Sequence, residues 1–127
     1  MARVLALTAD LMFGSRLQSA LSSAGHAVEL VADPVRLREL LEAAPEPGVA
    51  VLIVDLTDPG LDGAGTLESL AGLLEAGSTR TLGFYSHVDT LARERAASAG
   101  FDLLVPRSRM AREGAVLVGR LAVSGDA

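Results

Sequence analysis

Short apolar runs and stretches with helical spacing alternate along the whole chain. The apolar runs, which are typical of strands buried on both faces of a sheet, lie at 4–8, 28–32, 49–54, 81–85 and 103–105. After each run, apolar residues recur at spacings of three or four, which predicts an α-helix. These helical stretches lie at 11–24, 34–44, 66–76, 91–99 and 113–123. The second apolar run contains Glu29, so we expect that strand near an edge of the sheet.

Polar residues at the ends of the helical stretches support their boundaries. Asp10 and Asp62 stand where an N-cap carboxylate is expected, at the start of the first and third helices. Asp33 precedes Pro34, and proline suits the first turn of a helix. Glycine follows the first, third and fourth helical stretches, as is common after a helix C-terminus. The pattern therefore predicts five successive βα units.

Strands that alternate with helices through short connections predict a particular fold class. We expect an α/β domain with a parallel sheet, covered by helices on both faces and built from right-handed βαβ units. A chain of 127 residues is long enough for one domain with its own core. We expect this domain to span 1–123, with a short polar tail at 124–127.

Composition removes several classes of function. No cysteine is present, which excludes disulfides and thiolate chemistry and fits a cytoplasmic location. All 11 basic residues are arginine, so a Schiff-base lysine and a P-loop lysine are both absent. A net charge of −5 disfavours direct binding to nucleic acid. No apolar stretch approaches the roughly 20 residues of a membrane span. Nothing in the sequence points to an enzyme with a turnover of its own.

The central apolar run ends in an acid. The residues at 49–54 lead directly into Asp55, so this carboxylate is expected where the chain leaves the carboxyl end of a buried strand. Open α/β sheets bind their ligands at that edge. Because Pro59 and Gly60 follow closely, the alternative interpretation is an acid that only begins a turn.

The order of these features resembles that of a response-regulator receiver domain. The motif D-x-x-x-P-x-x-D-G runs from Asp55 to Gly63, and the stretches at 25–29 and 99–102 match the family in order and spacing. The resemblance covers nearly the whole chain. It implies a flavodoxin-like (βα)5 three-layer sandwich whose parallel sheet has five strands in the order 2-1-3-4-5.

The resemblance also implies a chemistry. Receivers of two-component systems and phosphorelays accept a phosphoryl group from a histidine kinase on the aspartate that ends strand three. Mg²⁺, a hydroxyl after strand four and a lysine after strand five stabilise that group. By this resemblance Asp55 is the phosphoacceptor, and Ser86 and Arg107 occupy the phosphate-contact positions. The candidate Mg²⁺ ligands are Asp10, Asp55 and Thr57.

Several residues depart from the receiver pattern. Thr8 and Ala9 stand where receivers carry metal-binding acids, and Asp10 lies one residue late, where an N-cap role is the simpler interpretation. Arg107 stands nearest the lysine position, and its planar guanidinium approaches a phosphate differently from an ammonium. Asp58 adds negative charge beside the acceptor. We therefore expect weak Mg²⁺ binding and slow or absent phosphorylation, as in a degenerate receiver, or pseudo-receiver.

Three functions remain open. The first is a receiver-like signalling module that binds a histidine kinase, a downstream effector or a second copy of itself. The resemblance places this contact on the face made by helix four, strand five and helix five, which is expected to be rich in arginine. Its arginines are Arg93, Arg95, Arg107, Arg109 and Arg112. The second function is a working single-domain response regulator that a histidine kinase phosphorylates on Asp55. The third is a small-ligand sensor that uses the crevice beside Asp55.

Overall fold

The computed structural model describes residues 2–45 and 48–124. The strands are β1 (Arg3–Leu7), β2 (Ala27–Val31), β3 (Val51–Asp55), β4 (Arg80–Tyr85) and β5 (Leu103–Pro106). The helices are α1 (Leu11–Ser23), α2 (Pro34–Ala43), α3 (Gly63–Ala76), α4 (Thr90–Ala99) and α5 (Arg107–Ser124), with a short 3₁₀ turn at Pro59–Leu61. Strands and helices alternate as the hydrophobic pattern predicts.

The strands form a parallel sheet in the order β2-β1-β3-β4-β5. β3 lies in the centre between β1 and β4, and every one of its residues is buried. β2 lies at an edge and has exposed residues at alternate positions. The α/β flavodoxin-like fold and its strand order are therefore confirmed, as are the buried third strand and the edge position of the second.

Alternate residues of the central strand face two hydrophobic clusters, one on each side of the sheet. Val51 and Ile53 belong to the cluster that β3 forms with α1 and α5. Leu52 and Val54 belong to the cluster that it forms with α2 and α3. The core is thus divided by the sheet into two aliphatic layers, and the carboxyl ends of the strands remain between the helix N-termini.

The predicted helix caps are present. The carboxylates of Asp10, Asp33 and Asp62 each accept a backbone N–H in the first turn of α1, α2 and α3. Gly25 and Gly100 follow α1 and α4 at φ values of +92° and +99°, where a side chain would strain the backbone. The aspartate caps fix where α1, α2 and α3 begin at the carboxyl edge of the sheet, and the glycines fix where α1 and α4 end.

The last helix differs from the sequence prediction at its start. α5 begins at Arg107 directly after β5, well before the predicted start at Glu113. The polar residues that open this helix resemble a loop in the sequence, but Met110 is buried and begins the apolar stripe of α5. Val116 is apolar but 53% exposed, because the buried stripe of this helix passes through Leu117 and Val118.

The C-terminal end of α5 lies at Ser124, so the first residue of the predicted tail is helical. The remaining tail positions, 125–127, lie outside the described residues. Within the described ranges, no helix is both long and apolar enough to cross a membrane.

Candidate functional site

The carboxyl edge of the sheet brings together residues that end or follow β1, β3 and β5. Asp55 is the last residue of β3 and is paired in register with Phe84 of β4. It is only 2% exposed, because β1 and β4 flank its strand on both sides. Asp55 therefore lies where the sequence predicts the phosphoacceptor, at the end of the central strand, but inside the protein.

Neutral groups hold the carboxylate of Asp55. The hydroxyl of Thr8 donates a hydrogen bond to Oδ2 at 2.8 Å. The backbone N–H and the hydroxyl of Thr57 donate to Oδ1 at 2.8 and 2.6 Å. No ion pair involves Asp55 within residues 2–45 and 48–124. These neutral donors compensate for the water that the buried carboxylate has lost.

Thr8 connects Asp55 to the first turn of α1. It follows β1, is 5% exposed, and donates its own backbone N–H to the carbonyl oxygen of Val31 at 2.9 Å. Its hydroxyl oxygen accepts the backbone N–H of Asp10 at 3.2 Å. A chain of hydrogen bonds thus runs from Asp10 through Thr8 to Asp55, and each bond polarises the next.

Both carboxylate oxygens of Asp10 are engaged. Oδ1 accepts the backbone N–H of Phe13 at 3.0 Å, which is the predicted N-cap contact, and Oδ2 accepts Nη2 of Arg107 at 2.8 Å. The hydrogen bond from Phe13 is the main reason that the pKa of Asp10 lies below its ordinary value, and Arg107 adds to it against some desolvation. Asp10 therefore caps α1 and ties that helix to the start of α5.

Arg107 pairs with Asp10 and with an aromatic ring. Its guanidinium lies over the ring of Phe13, 4.5 Å from the centroid. The Phe13 ring lies in turn 4.8 Å from the ring of Phe84, which is the register neighbour of Asp55. These contacts join the start of α5 and the start of α1 to the centre of the sheet.

The remaining predicted residues serve the loops around the acceptor. Ser86 follows β4, and its carbonyl oxygen accepts the N–H of Asp89 at 3.2 Å in the turn before α4. Asp58 caps the 3₁₀ turn through a 2.8 Å hydrogen bond from the N–H of Gly60 to its Oδ1. In the part of the chain that the structure describes, the carboxylate of Asp55 receives no hydrogen bond from Ser86 or Arg107.

The residues present do not fit the Mg²⁺ set that the receiver fold implies. Mg²⁺ usually takes oxygens from one or two carboxylates and completes its octahedron with water and phosphate oxygens. No group of three or more His, Cys, Asp or Glu side chains among the described residues is placed to hold a metal ion. Asp10 is paired with Arg107, and the hydroxyls of Thr8 and Thr57 direct their hydrogens at Asp55. Of the two predicted carboxylate ligands, one is thus neutralised by an arginine, and Asp55 alone has no cationic partner among the described residues.

On α4, the arginines of the predicted partner face have intramolecular contacts. Arg95 makes a two-point ion pair with Glu68 of α3, one of whose hydrogen bonds measures 3.0 Å. The guanidinium of Arg93 lies 5.3 Å from the centroid of the Tyr85 ring. Ala96 is the one buried residue of α4, so this helix is less deeply packed on the sheet than α3.

On α5 the arginines differ in how firmly they are paired. Nε of Arg109 donates to Oε2 of Glu113 at 3.2 Å. Arg112 lies 4.0 Å from the same carboxylate oxygen, and its side chain is 70% exposed. The predicted arginine-rich face therefore offers less unpaired positive charge than its sequence suggests.

The sequence suggests Thr8 as one wall of the crevice beside Asp55, but it does not predict the hydrogen bond between the two side chains. The signal for it lies in the strand order, because β1 and β3 are neighbours in the order 2-1-3-4-5 and residues at their carboxyl ends lie side by side. A hydroxyl one residue past β1 is thus within reach of an acid at the end of β3.

No protein-family model and no curated protein sequence matches this chain. Solved structures match it over nearly its whole length. The receiver domain of the Francisella response regulator 1452 has a TM-score of 0.80 at 17% identity and covers 98% of both chains. A CheY-like response regulator receiver domain protein from Methanospirillum hungatei JF-1 has a TM-score of 0.83 at 15% identity and covers 99% of this chain and 97% of that one.

A third structure bears on the metal. The receiver domain of the sensor histidine kinase PA1611 from Pseudomonas aeruginosa PAO1 carries a magnesium ion coordinated in its active-site cleft. It has a TM-score of 0.80 at 17% identity and covers 96% of this chain and 98% of that one. The chain therefore has the fold of response-regulator receiver domains.

Proposed function

We propose that this chain, which has the receiver fold, is an atypical signalling module that acts by binding a partner protein and does not depend on phosphorylation of Asp55. The observation that carries the proposal is the burial of the Asp55 carboxylate beneath three hydrogen bonds from Thr8 and Thr57. The module acts by binding and not by turnover of a substrate. We place it in the cytoplasm, without a resident Mg²⁺.

The chemistry of phosphoryl transfer supports this proposal. A carboxylate nucleophile needs a free lone pair in line with the donor, and cations must offset the charge on the equatorial phosphoryl oxygens. An incoming phosphoryl group would have to reach the one remaining acceptor site, on Oδ2 beside the Thr8 hydroxyl, of a carboxylate that is buried. The nearest substitute for the receiver lysine, Arg107, is already paired with Asp10. The acceptor is therefore expected to stay unmodified.

The receiver fold supports a proposal for the class of partner. Receiver domains act on histidine kinases and on downstream effectors, so we propose a protein of one of these classes as the partner. The face made by α4, β5 and α5 remains a candidate contact, and Arg112 is its most weakly paired arginine. Self-association through the same face is the other arrangement to test.

An amide NMR titration tests whether Asp55 is a working acceptor. Mg²⁺ at millimolar concentration and then beryllofluoride, a phosphoryl mimic, are added to the wild type and to Asp55→Ala. Asp58→Ala is the matched control, because it removes a nearby carboxylate that caps the 3₁₀ turn. In the wild type we expect the amide signals of Thr8, Asp55 and Thr57 to keep their chemical shifts throughout the titration.

The opposite result would establish the alternative function. Shifts at Asp55, Ser86 and Arg107 that appear in the wild type and in Asp58→Ala, but disappear in Asp55→Ala, identify a working response regulator. That outcome removes the proposal, because it shows that Mg²⁺ and a phosphoryl mimic reach the buried carboxylate.

A further inference from the structure

We infer that the groove between α1 and α5 is a docking site for an acidic segment of a partner protein, one large apolar side chain of which fills the groove. The inference rests on the proposed function, because it names a surface and a partner chemistry for the same binding module. It differs from the predicted face of α4, β5 and α5, since α1 provides one wall of the groove and α4 provides none.

The floor of the groove is apolar. Phe13 and Leu17 of α1 face Met110 of α5 across it. The helices approach closely at Gly114, where an added Cβ would lie 3.1 Å from Leu17 and 3.2 Å from Met110. Beside this contact the groove has a volume of about 230 Å³. Cavities of about 150 Å³ hold a benzene ring, so the groove accommodates one leucine or phenylalanine side chain.

The rim of the groove carries positive charge without firm partners. Arg16 on α1 forms no hydrogen bond or ion pair within the described ranges, and it is exposed. Arg112 on α5 lies 4.0 Å from Glu113, whose carboxylate is bound more closely by Arg109 at 3.2 Å. Two weakly paired guanidinium groups beside an apolar floor complement carboxylates that flank an apolar side chain.

Size and charge together select the occupant. Pockets for small molecules usually measure about 300–1,000 Å³, so this groove suits a protruding side chain better than a whole cofactor. A foreign segment that combines glutamate or aspartate with leucine or phenylalanine matches both the floor and the rim.

The groove is connected to the candidate site through one ring. Phe13 lines the groove, and the guanidinium of Arg107 lies over its ring. The same guanidinium pairs with Asp10. An apolar side chain in the groove therefore contacts the ring that supports this ion pair. We expect docking to change the environment of Arg107 and Asp10 without any modification of Asp55.

Two synthetic peptides test the inference by NMR titration of the isotope-labelled protein. Both form amphipathic helices with leucine on the apolar face; one carries glutamate at every charged position and the other carries lysine there. We expect the glutamate peptide to cause saturable shifts at Phe13, Leu17 and Gly114. Arg16→Glu should weaken its binding by roughly tenfold or more, because it opposes like charges. Arg36→Glu makes the same change of charge on α2 and should leave binding within about twofold.

Ala20→Trp supplies an independent test, because Ala20 is an exposed residue that lines the groove and a large side chain there fills it. In this variant the glutamate peptide should no longer shift the signals of Phe13, Leu17 and Gly114, while the amide signals away from the groove should match those of the wild type.

Three results would each overturn the inference: equal binding of the lysine peptide, peptide-induced shifts confined to α4, or a dimer that Arg16→Glu dissociates. If the peptides fail while Asp55 stays unresponsive to beryllofluoride, the groove inference falls and the proposed function stands. If Asp55 takes up beryllofluoride, the proposed function falls whatever the peptides do.

Discussion

The hydroxyl of Thr8 donates a hydrogen bond of 2.8 Å to the carboxylate of Asp55, a residue 47 positions away in the chain. The contact crosses from the end of β1 to the end of β3, which are neighbours in the sheet. A neutral side chain thus stands beside the acid on which the receiver resemblance depends. The strength of this hydrogen bond determines how firmly the side chain of Asp55 is held in its position.

Thr8→Val should reduce the free energy of unfolding by about 1–3 kcal/mol, because the substitution keeps the shape of the side chain and leaves a buried carboxylate one donor short. Urea unfolding measures the change. Thr90→Val, at an exposed position in α4, should change stability by no more than about 0.5 kcal/mol. In an Asp55→Ala background the effect of Thr8→Val should shrink, and an unchanged effect would show that the hydrogen bond does not stabilise the fold.

Stability should fall in acid partly through Asp10. Its pKa is lowered in the folded protein by the N–H of Phe13 and by Arg107, so its ionised form contributes stability above the unfolded pKa of about 3.9. That contribution is lost as the pH falls from this value through the lower folded pKa. Asp10→Asn and Arg107→Gln should both flatten the acid limb of the stability curve, measured by urea unfolding at a series of pH values. Acid limbs identical to that of the wild type would contradict the role given to this ion pair.

Two glycines of α3 should respond to alanine in opposite directions. A Cβ at Gly63 would lie 2.7 Å from Leu56 and 2.8 Å from the stiff side chain of Val54, so Gly63→Ala should destabilise the protein by about 1–3 kcal/mol. A Cβ at Gly72 meets nothing within 4 Å, so Gly72→Ala should stabilise the helix by about 0.5–1 kcal/mol. Thermal unfolding of both variants checks the pair. Equal effects would mean that the packing of α3 on β3 is looser than the distances indicate.

Most of the fold could be predicted from the sequence because the core is aliphatic and sharply bounded. The run at 49–54 reads as a fully buried strand, and Asp10, Asp33 and Asp62 mark helix starts through their own hydrogen bonds. The start of α5 was missed because Arg107 and the polar residues after it carry no apolar signal. What makes them helical is the burial of Met110 against the sheet, which is a tertiary contact.

The candidate site was predictable in position but not in its bonding. The place of Asp55 follows from local pattern alone, since an acid after an apolar run lies at a strand end. Whether Arg107 pairs with Asp10 or with Asp55 depends on how the loops after β1 and β5 are arranged. The hydrophobic pattern of the sequence does not determine that arrangement. The hydrogen bond from Thr8 to Asp55 was likewise not predictable from local pattern, because it depends on which strands are neighbours in the sheet.

The way α4 is attached has a consequence for its mobility. This helix contributes one buried residue to the core, and its ion pair with Glu68 lies between exposed side chains. Ion pairs between exposed side chains weaken as salt rises, whereas aliphatic packing does not depend on screening in this way. Rising ionic strength therefore acts on the helix layers and not on the sheet: it weakens the tie between α4 and α3, and likewise the exposed pair that joins α1 to α5, while the aliphatic core keeps its shape.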